Sequence, residues 1–179
     1  MVNKMNWNGY EIYEPPHRGL LGDLTRKQAR ESFEHLMEVR PRRVKLLNRL
    51  LAANGVELRE DDDSIQSAED WFRENVEEDP EAPGRLKPAW YSIVNDIGLF
   101  LGTVLISRCP QLYWEFYVYG KKNMAYQRHV IMGFTRVDNS KYNVDFDLGV
   151  ASYGHRVVAG NRSEYGTFVK MLKSAEELA

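Results

Sequence analysis

The chain has 179 residues, 43% of them hydrophobic and 28% charged, with a formal net charge of -2 and a single cysteine. A chain of this length buries about 70% of the surface it would expose unfolded. A packed core therefore forms without metal or disulfide staples, and the composition excludes a disordered chain, a collagen-like chain and a coiled coil.

The lone Cys109 allows neither an internal disulfide nor a cysteine-rich zinc site, which fits a reducing cytoplasm. The opening MVNKMNWNGYEIYEPPHRG has no apolar stretch of about 7 to 15 residues, so a secretory signal is not expected. Residues 1–23 read as an extended lead-in, because Pro15-Pro16 forbids a helix. At Thr25 a capping box with Gln28 starts a helix with Ala29, Phe33, Leu36 and Met37 at helical spacing, running to Arg40. Pro41 suits the first turn of a second helix, striped by Val44, Leu47, Leu50 and Leu51 and stopped by Asn54-Gly55. After a polar connection, Ser67 with Asp70 resembles the start of a third helix carrying Trp71, Phe72 and Val76.

Three prolines and a glycine make EEDPEAPGRLKP an irregular loop, and Pro88 restarts a helix to about Arg108. Its run 89–106 is interrupted by Ser92, Asn95, Asp96, Gly98, Gly102 and Thr103. A membrane span needs about 20 predominantly apolar residues, so this reads as a buried central helix, with Gly98 and Gly102 admitting a close neighbour. From Leu112 the period changes to two, and LYWEFYVY is a strand. Further strands are expected over 125–134, 142–148 and 155–159, before a closing helix after Ser163 with Tyr165, Phe168, Val169 and Leu172. The expected fold is one α+β domain over 1–179: lead-in 1–23, a mainly helical part 24–108, an antiparallel sheet meander 109–160 and a C-terminal helix 161–179.

Chemistry is sparsely signposted. His17, His35, His129 and His155 lack metal-ligand spacing, no Gly-rich phosphate loop or G-x-S-x-G elbow occurs, and no cofactor or metal is expected. Asp145 and Asp147 read as the wet face of a half-buried strand, and Cys109 reads as structural. Charge is unevenly spread. Residues 26–49 hold 8 basic and 3 acidic side chains, whereas residues 57–81 hold 12 acidic and 2 basic, a local charge of -10. Arg40, Arg42, Arg43, Lys45 and Arg49 form a candidate basic ridge, but the acidic block beside it repels phosphate and disfavours nucleic acid. Tyr113, Tyr117 and Tyr119 offer an aromatic row on one sheet face.

The runs LTRKQARESFEHLMEVRPRRVKLLNRLLAANGVEL, DDDSIQSAEDWF and IGLFLGTVLISRCPQLYWEFY resemble a group of small uncharacterised bacterial proteins, immunity-like and toxin-associated. The resemblance spans about two thirds of the chain; it implies the fold and a non-enzymatic, protein-binding role in the cytoplasm. The first expectation is accordingly an immunity-type inhibitor whose acidic surface docks a basic protein through Glu60, Asp61, Asp62, Asp63, Glu77, Glu78 and Asp79. The alternatives are a small-molecule binder or minor hydrolase with a pocket at Tyr117, His129 and Asp145 between sheet and central helix, and a structural subunit of a larger assembly.

Overall fold

The structure is a computed structural model that describes residues 5–179; residues 1–4 of the expected lead-in lie outside it. Five helices and one hairpin follow in order: α1 (Arg26–Ala53), α2 (Asp62–Asn75), α3 (Pro88–Arg108), β1 (Tyr113–Phe116), β2 (His129–Met132), α4 (Phe146–Val158) and α5 (Thr167–Leu178). Helix and sheet are mixed as expected, but the sheet has two strands and is not a meander.

Residues 5–23 of the lead-in carry no α-helix or strand; the chain turns at Asn8–Gly9, where the Tyr10 amide donates to the Trp7 carbonyl at 2.8 Å, and makes a 3-10 turn at Leu21–Asp23. The Thr25–Gln28 capping box closes the start of α1. The two helices expected on either side of Pro41 are one helix of 28 residues. A mid-helix proline removes one backbone hydrogen bond. The apolar stripe from Ala29 through Leu36 and Leu47 to Leu51 is buried on both sides of it, and that burial outweighs one missing bond. Likewise α2 starts earlier than expected. Asp61 caps it, accepting from the Ser64 amide at 2.9 Å, and Ser67 sits inside the helix with its hydroxyl donated back to the Asp63 carbonyl at 2.9 Å.

Helix α3 is the heart of the fold. By length and composition it could cross a bilayer, yet most of it is buried against α1, α4 and α5. Gly98 and Gly102 lie one turn apart on it and accept two close neighbours. A Cβ on Gly98 would come within 2.9 Å of the Asp147 backbone nitrogen, and one on Gly102 within 2.3 Å of the Trp114 ring. The first glycine seats the start of α4 and the second seats β1. Around Trp90, the rings of Trp7, Trp71 and Phe72 pack at 5.7–6.0 Å, in the offset and edge-on geometries that aromatic pairs favour.

The strands expected over 142–148 and 155–159 are a correction. Val144 exchanges two backbone hydrogen bonds with Ile131, at 2.8 and 3.0 Å, and the pairing goes no further. Asp145 then caps α4 by accepting from the Leu148 amide at 2.9 Å, so His155 lies on a helix. Phe146, Val150, Tyr153 and Val157 bury one helical face, and Gly149 and Gly154 let Met171 and Phe72 come close. The closing helix begins at Thr167. Its Phe168 amide donates to Glu69 at 2.7 Å, a fully buried carboxylate that the Tyr153 hydroxyl also reaches at 3.3 Å.

Candidate functional site: an apolar cavity under the lead-in

A cavity of about 150 Å³ lies where the lead-in crosses α1. Tyr13, Pro15, His17, Gly19 and Leu21 cover it, and Ala29, Ser32, Phe33 and Leu36 of α1 form one wall. The opposite wall comes from Asn95 of α3, Gln127 and His129 of the hairpin, and Asp147 at the start of α4.

Each element is held in place by identifiable contacts. Arg43 and Asp96 are both buried, and the guanidinium clasps both carboxylate oxygens, Nε to Oδ1 at 2.9 Å and Nη2 to Oδ2 at 2.7 Å. The same guanidinium donates to the Glu11 carbonyl at 2.7 Å, the Tyr10 hydroxyl at 2.8 Å and Ser92 at 3.1 Å. Ser92 in turn accepts the Tyr13 amide at 2.7 Å. The lead-in is thereby fastened to α1 and α3 through one buried charge pair. Burial pushes the Tyr13 hydroxyl up to about 12, so it stays neutral at physiological pH. Further along, His17 meets Glu31 at 2.6 Å. Gln127, in a left-handed backbone conformation, donates its amide to the Leu21 and Leu24 carbonyls at 2.7 and 2.9 Å.

The floor carries a second charge cluster. Arg128 Nε contacts Asp145 at 2.5 Å and its Nη2 contacts Asp147 at 2.6 Å. Burial opposes the charge, but the two carboxylates hold this guanidinium above its ordinary range. Asp145 and Asp147 are thus a helix cap and a first-turn residue tied to one arginine, not the wet face of a strand. Burial holds the neighbouring His129 imidazole below its ordinary value, against the pull of Asp147 and Asp145, so it is neutral.

Five buried side-chain polar atoms have no hydrogen-bond partner among the described residues. Three are the indole nitrogens of Trp71, Trp90 and Trp114, each of whose rings packs against another ring. The other two, Ser32 Oγ and His129 Nε2, belong to residues that line this one cavity. An orphaned buried polar group costs about 1–3 kcal/mol. Such groups mark a place where something besides the protein is expected to complete the bonding.

Of the residues singled out for a pocket, His129 is at the cavity. Asp145 is committed to Arg128 and the helix cap, and Asp147 stands at the wall instead. Tyr117 is on the other face of the hairpin, packed with Ala125, Val130 and Met132. In the aromatic row Tyr113 and Tyr119 are exposed and Tyr117 is buried, and the Tyr117 and Tyr119 rings meet edge-on at 5.4 Å. Ser32, Asn95 and Gln127 were not singled out. Only Asn95 carried a signal, as an amide inside an otherwise apolar helix that must find a partner or a cavity.

The acidic block falls into two clusters. Glu60–Asp63 and Glu77–Asp79 sit at opposite ends of α2, a helix of 14 residues and so about 21 Å long. Arg59 pairs with Glu57 at 2.6 Å and with Asp61 at 2.8 Å; Arg108 and Lys173 both take Asp62 at 3.1 Å; Lys87 takes Glu77 at 2.9 Å. Arg108 also donates to the Glu60 carbonyl, and Glu78 accepts the Gly84 amide at 2.6 Å. Asp79 accepts the Glu81 amide at 3.0 Å, while Asp63 and the Glu60 carboxylate stay exposed. The basic ridge is reduced to Arg42, Lys45 and Arg49, which stay exposed along one groove of α1. Arg43 is buried, Arg42 pairs with Glu11, and Arg40 lies over the Trp114 ring at 5.8 Å. His155 is far from metal chemistry, bonded to Tyr91 at 3.0 Å near the surface, and among the described residues no three His, Cys, Asp or Glu gather as a metal site. Burial, with Glu176 nearby, pushes the Cys109 thiol up, which makes it a poor nucleophile.

No family model, curated protein or solved structure matches the chain. The residue roles here therefore rest on the site's own atoms.

Proposed function

We propose that the protein binds a small molecule in the cavity beneath the lead-in and does not transform it. One observation carries this reading: the two non-indole polar atoms left orphaned in the core belong to residues that both line one largely apolar cavity. Ligand sites have this character, an apolar wall with a few placed polar groups. Hydrolysis is disfavoured because the Ser32 hydroxyl bonds no base, and an unactivated serine is a weak nucleophile. The acidic docking surface ranks behind it. Its two clusters lie at opposite ends of α2, and three of its seven carboxylates, Asp61, Asp62 and Glu77, are already ion-paired, which weakens the field left for steering.

The test is a protein-observed NMR screen against a mixed fragment library, repeated on Ser32→Met, whose larger side chain enters the cavity. Fragments that bind shift the amides of residues 13–21, 29–36 and 127–129, and Ser32→Met abolishes those shifts while melting no lower than wild type. If no fragment moves these amides, or if the filled variant responds as before, the reading is wrong.

A further inference from the structure

We infer that the cavity's ligand is a compact, uncharged, single-ring molecule with a hydrogen-bonding edge, of the kind represented by phenol. This rests on the binding role just proposed and narrows it through size, charge and polarity.

Drug-sized ligands occupy pockets of about 300–1,000 Å³. At about 150 Å³ this one is smaller. An engineered apolar cavity of about that volume in another protein takes up benzene, which sets the scale at one ring. A dinucleotide, a lipid chain or a peptide exceeds that volume. The apolar body of a ring is matched by Leu21, Ala29, Phe33 and Leu36 in the lining.

Charge is settled by what lines the space. No lysine or arginine lines it among the described residues, so a carboxylate or phosphate would meet no free cation and would face Asp147. A cation fares no better. The only carboxylate in the lining among the described residues, Asp147, is already satisfied by Arg128 at 2.6 Å. Stripping water from a charge without a compensating partner is expensive, so the neutral form of any ligand is selected. Burial keeps His129 neutral as well, which leaves the imidazole able to accept or donate one hydrogen bond according to tautomer.

Polarity comes from Ser32 and His129. A hydroxyl, or a ring N–H beside a ring nitrogen, both donates and accepts, and so is suited to pair with either orphaned group. A wholly apolar ring would fill the volume and leave them unsatisfied.

Four probes of one ring each separate these terms: phenol, toluene, benzoate and benzylammonium, titrated near neutral pH into the full chain and followed by the amide shifts of residues 13–21 and 29–36. Phenol, with a pKa of about 10, is neutral there. Phenol is expected to bind at least tenfold more tightly than benzoate or benzylammonium, and at least threefold more tightly than toluene. Ser32→Ala is expected to remove the preference for phenol over toluene while leaving toluene within twofold of wild type. Equal binding of benzoate or benzylammonium overturns the neutral class, and equal binding of toluene by the wild type overturns the polar edge; the pocket itself survives either result. If none of the four shifts these amides, the ligand class is overturned. Should larger fragments also fail, the binding role falls with it.

Discussion

Replacing Arg43 with methionine removes the clasp that ties the lead-in to the core. The substitution deletes two hydrogen bonds to Asp96 and one each to Glu11, Tyr10 and Ser92. Asp96, with no exposure to solvent, keeps only the Tyr10 hydroxyl and a 3.3 Å contact from Asn95. Breaking one side of a buried charge pair costs about 3–5 kcal/mol, because the surviving charge is left uncompensated. In a chain of this size each kcal/mol moves the melting temperature by about 2–4 °C. Arg43→Met should therefore melt about 6–20 °C lower. The assay is denaturant unfolding of Arg43→Met, Asp96→Leu and the double variant. The double variant is expected to lose less than the sum of the singles, since it leaves no orphaned charge. Amide exchange at Tyr13 should rise in Arg43→Met, reporting a loosened roof over the cavity. A single-variant loss below about 1 kcal/mol, or strict additivity, would refute the claim that this pair holds the lead-in down.

Ser32→Ala should leave stability unchanged or raise it by about 1 kcal/mol, because it deletes a hydroxyl buried without a partner; a clear loss on chemical denaturation would mean the hydroxyl is already bonded. His129 gives a pH signature. Unfolded, it takes up a proton near pH 6.5, about the ordinary value, whereas the buried imidazole stays neutral to lower pH. Between those values the unfolded state binds more protons, so stability falls as pH drops below about 6.5. The loss is about 1.4 kcal/mol for each unit separating the two values. Comparing unfolding at about pH 7.5 and about pH 5, wild type should lose more than His129→Phe; identical slopes would count against a neutral, buried imidazole. Gly102→Ala should destabilise by about 1–3 kcal/mol through overpacking, since its Cβ would lie 2.3 Å from the Trp114 ring. An unchanged melting temperature would show that the ring moves aside freely.

Much of the scaffold is legible in the residues themselves. The Thr25 capping box, the buried α3 with its two glycines, the first hairpin and the apolar stripe of α5 all follow from spacing and cap chemistry. The failures are local signals overridden by tertiary packing. Pro41 reads as a boundary because it lacks an N–H, yet the stripe on either side is buried against α3 and keeps one helix running through it. In NVDFDLG the alternation is real for Val144, which pairs with Ile131, and for the extended Asp145. It then coincides by chance with the first turn of α4. Nothing in the sequence reveals that Met171 and Phe72 press against Gly149 and Gly154. The site was less readable still. His129 stood out, but Ser32 is one hydroxyl on a polar-looking helix, and its missing partner is a fact of three-dimensional packing alone. The acidic block reads as one run because sequence adjacency hides the length of α2, which separates its two ends, and hides the arginines and lysines that fold back onto part of it.

A crystal of the protein grown with phenol is the most direct check on the cavity. Binding there predicts one ring packed against Phe33 and Leu36, its oxygen within about 3 Å of Ser32 Oγ or a ring nitrogen of His129. Phenol found only on the outer surface, with ordered water bridging Ser32 and His129 inside, would contradict it.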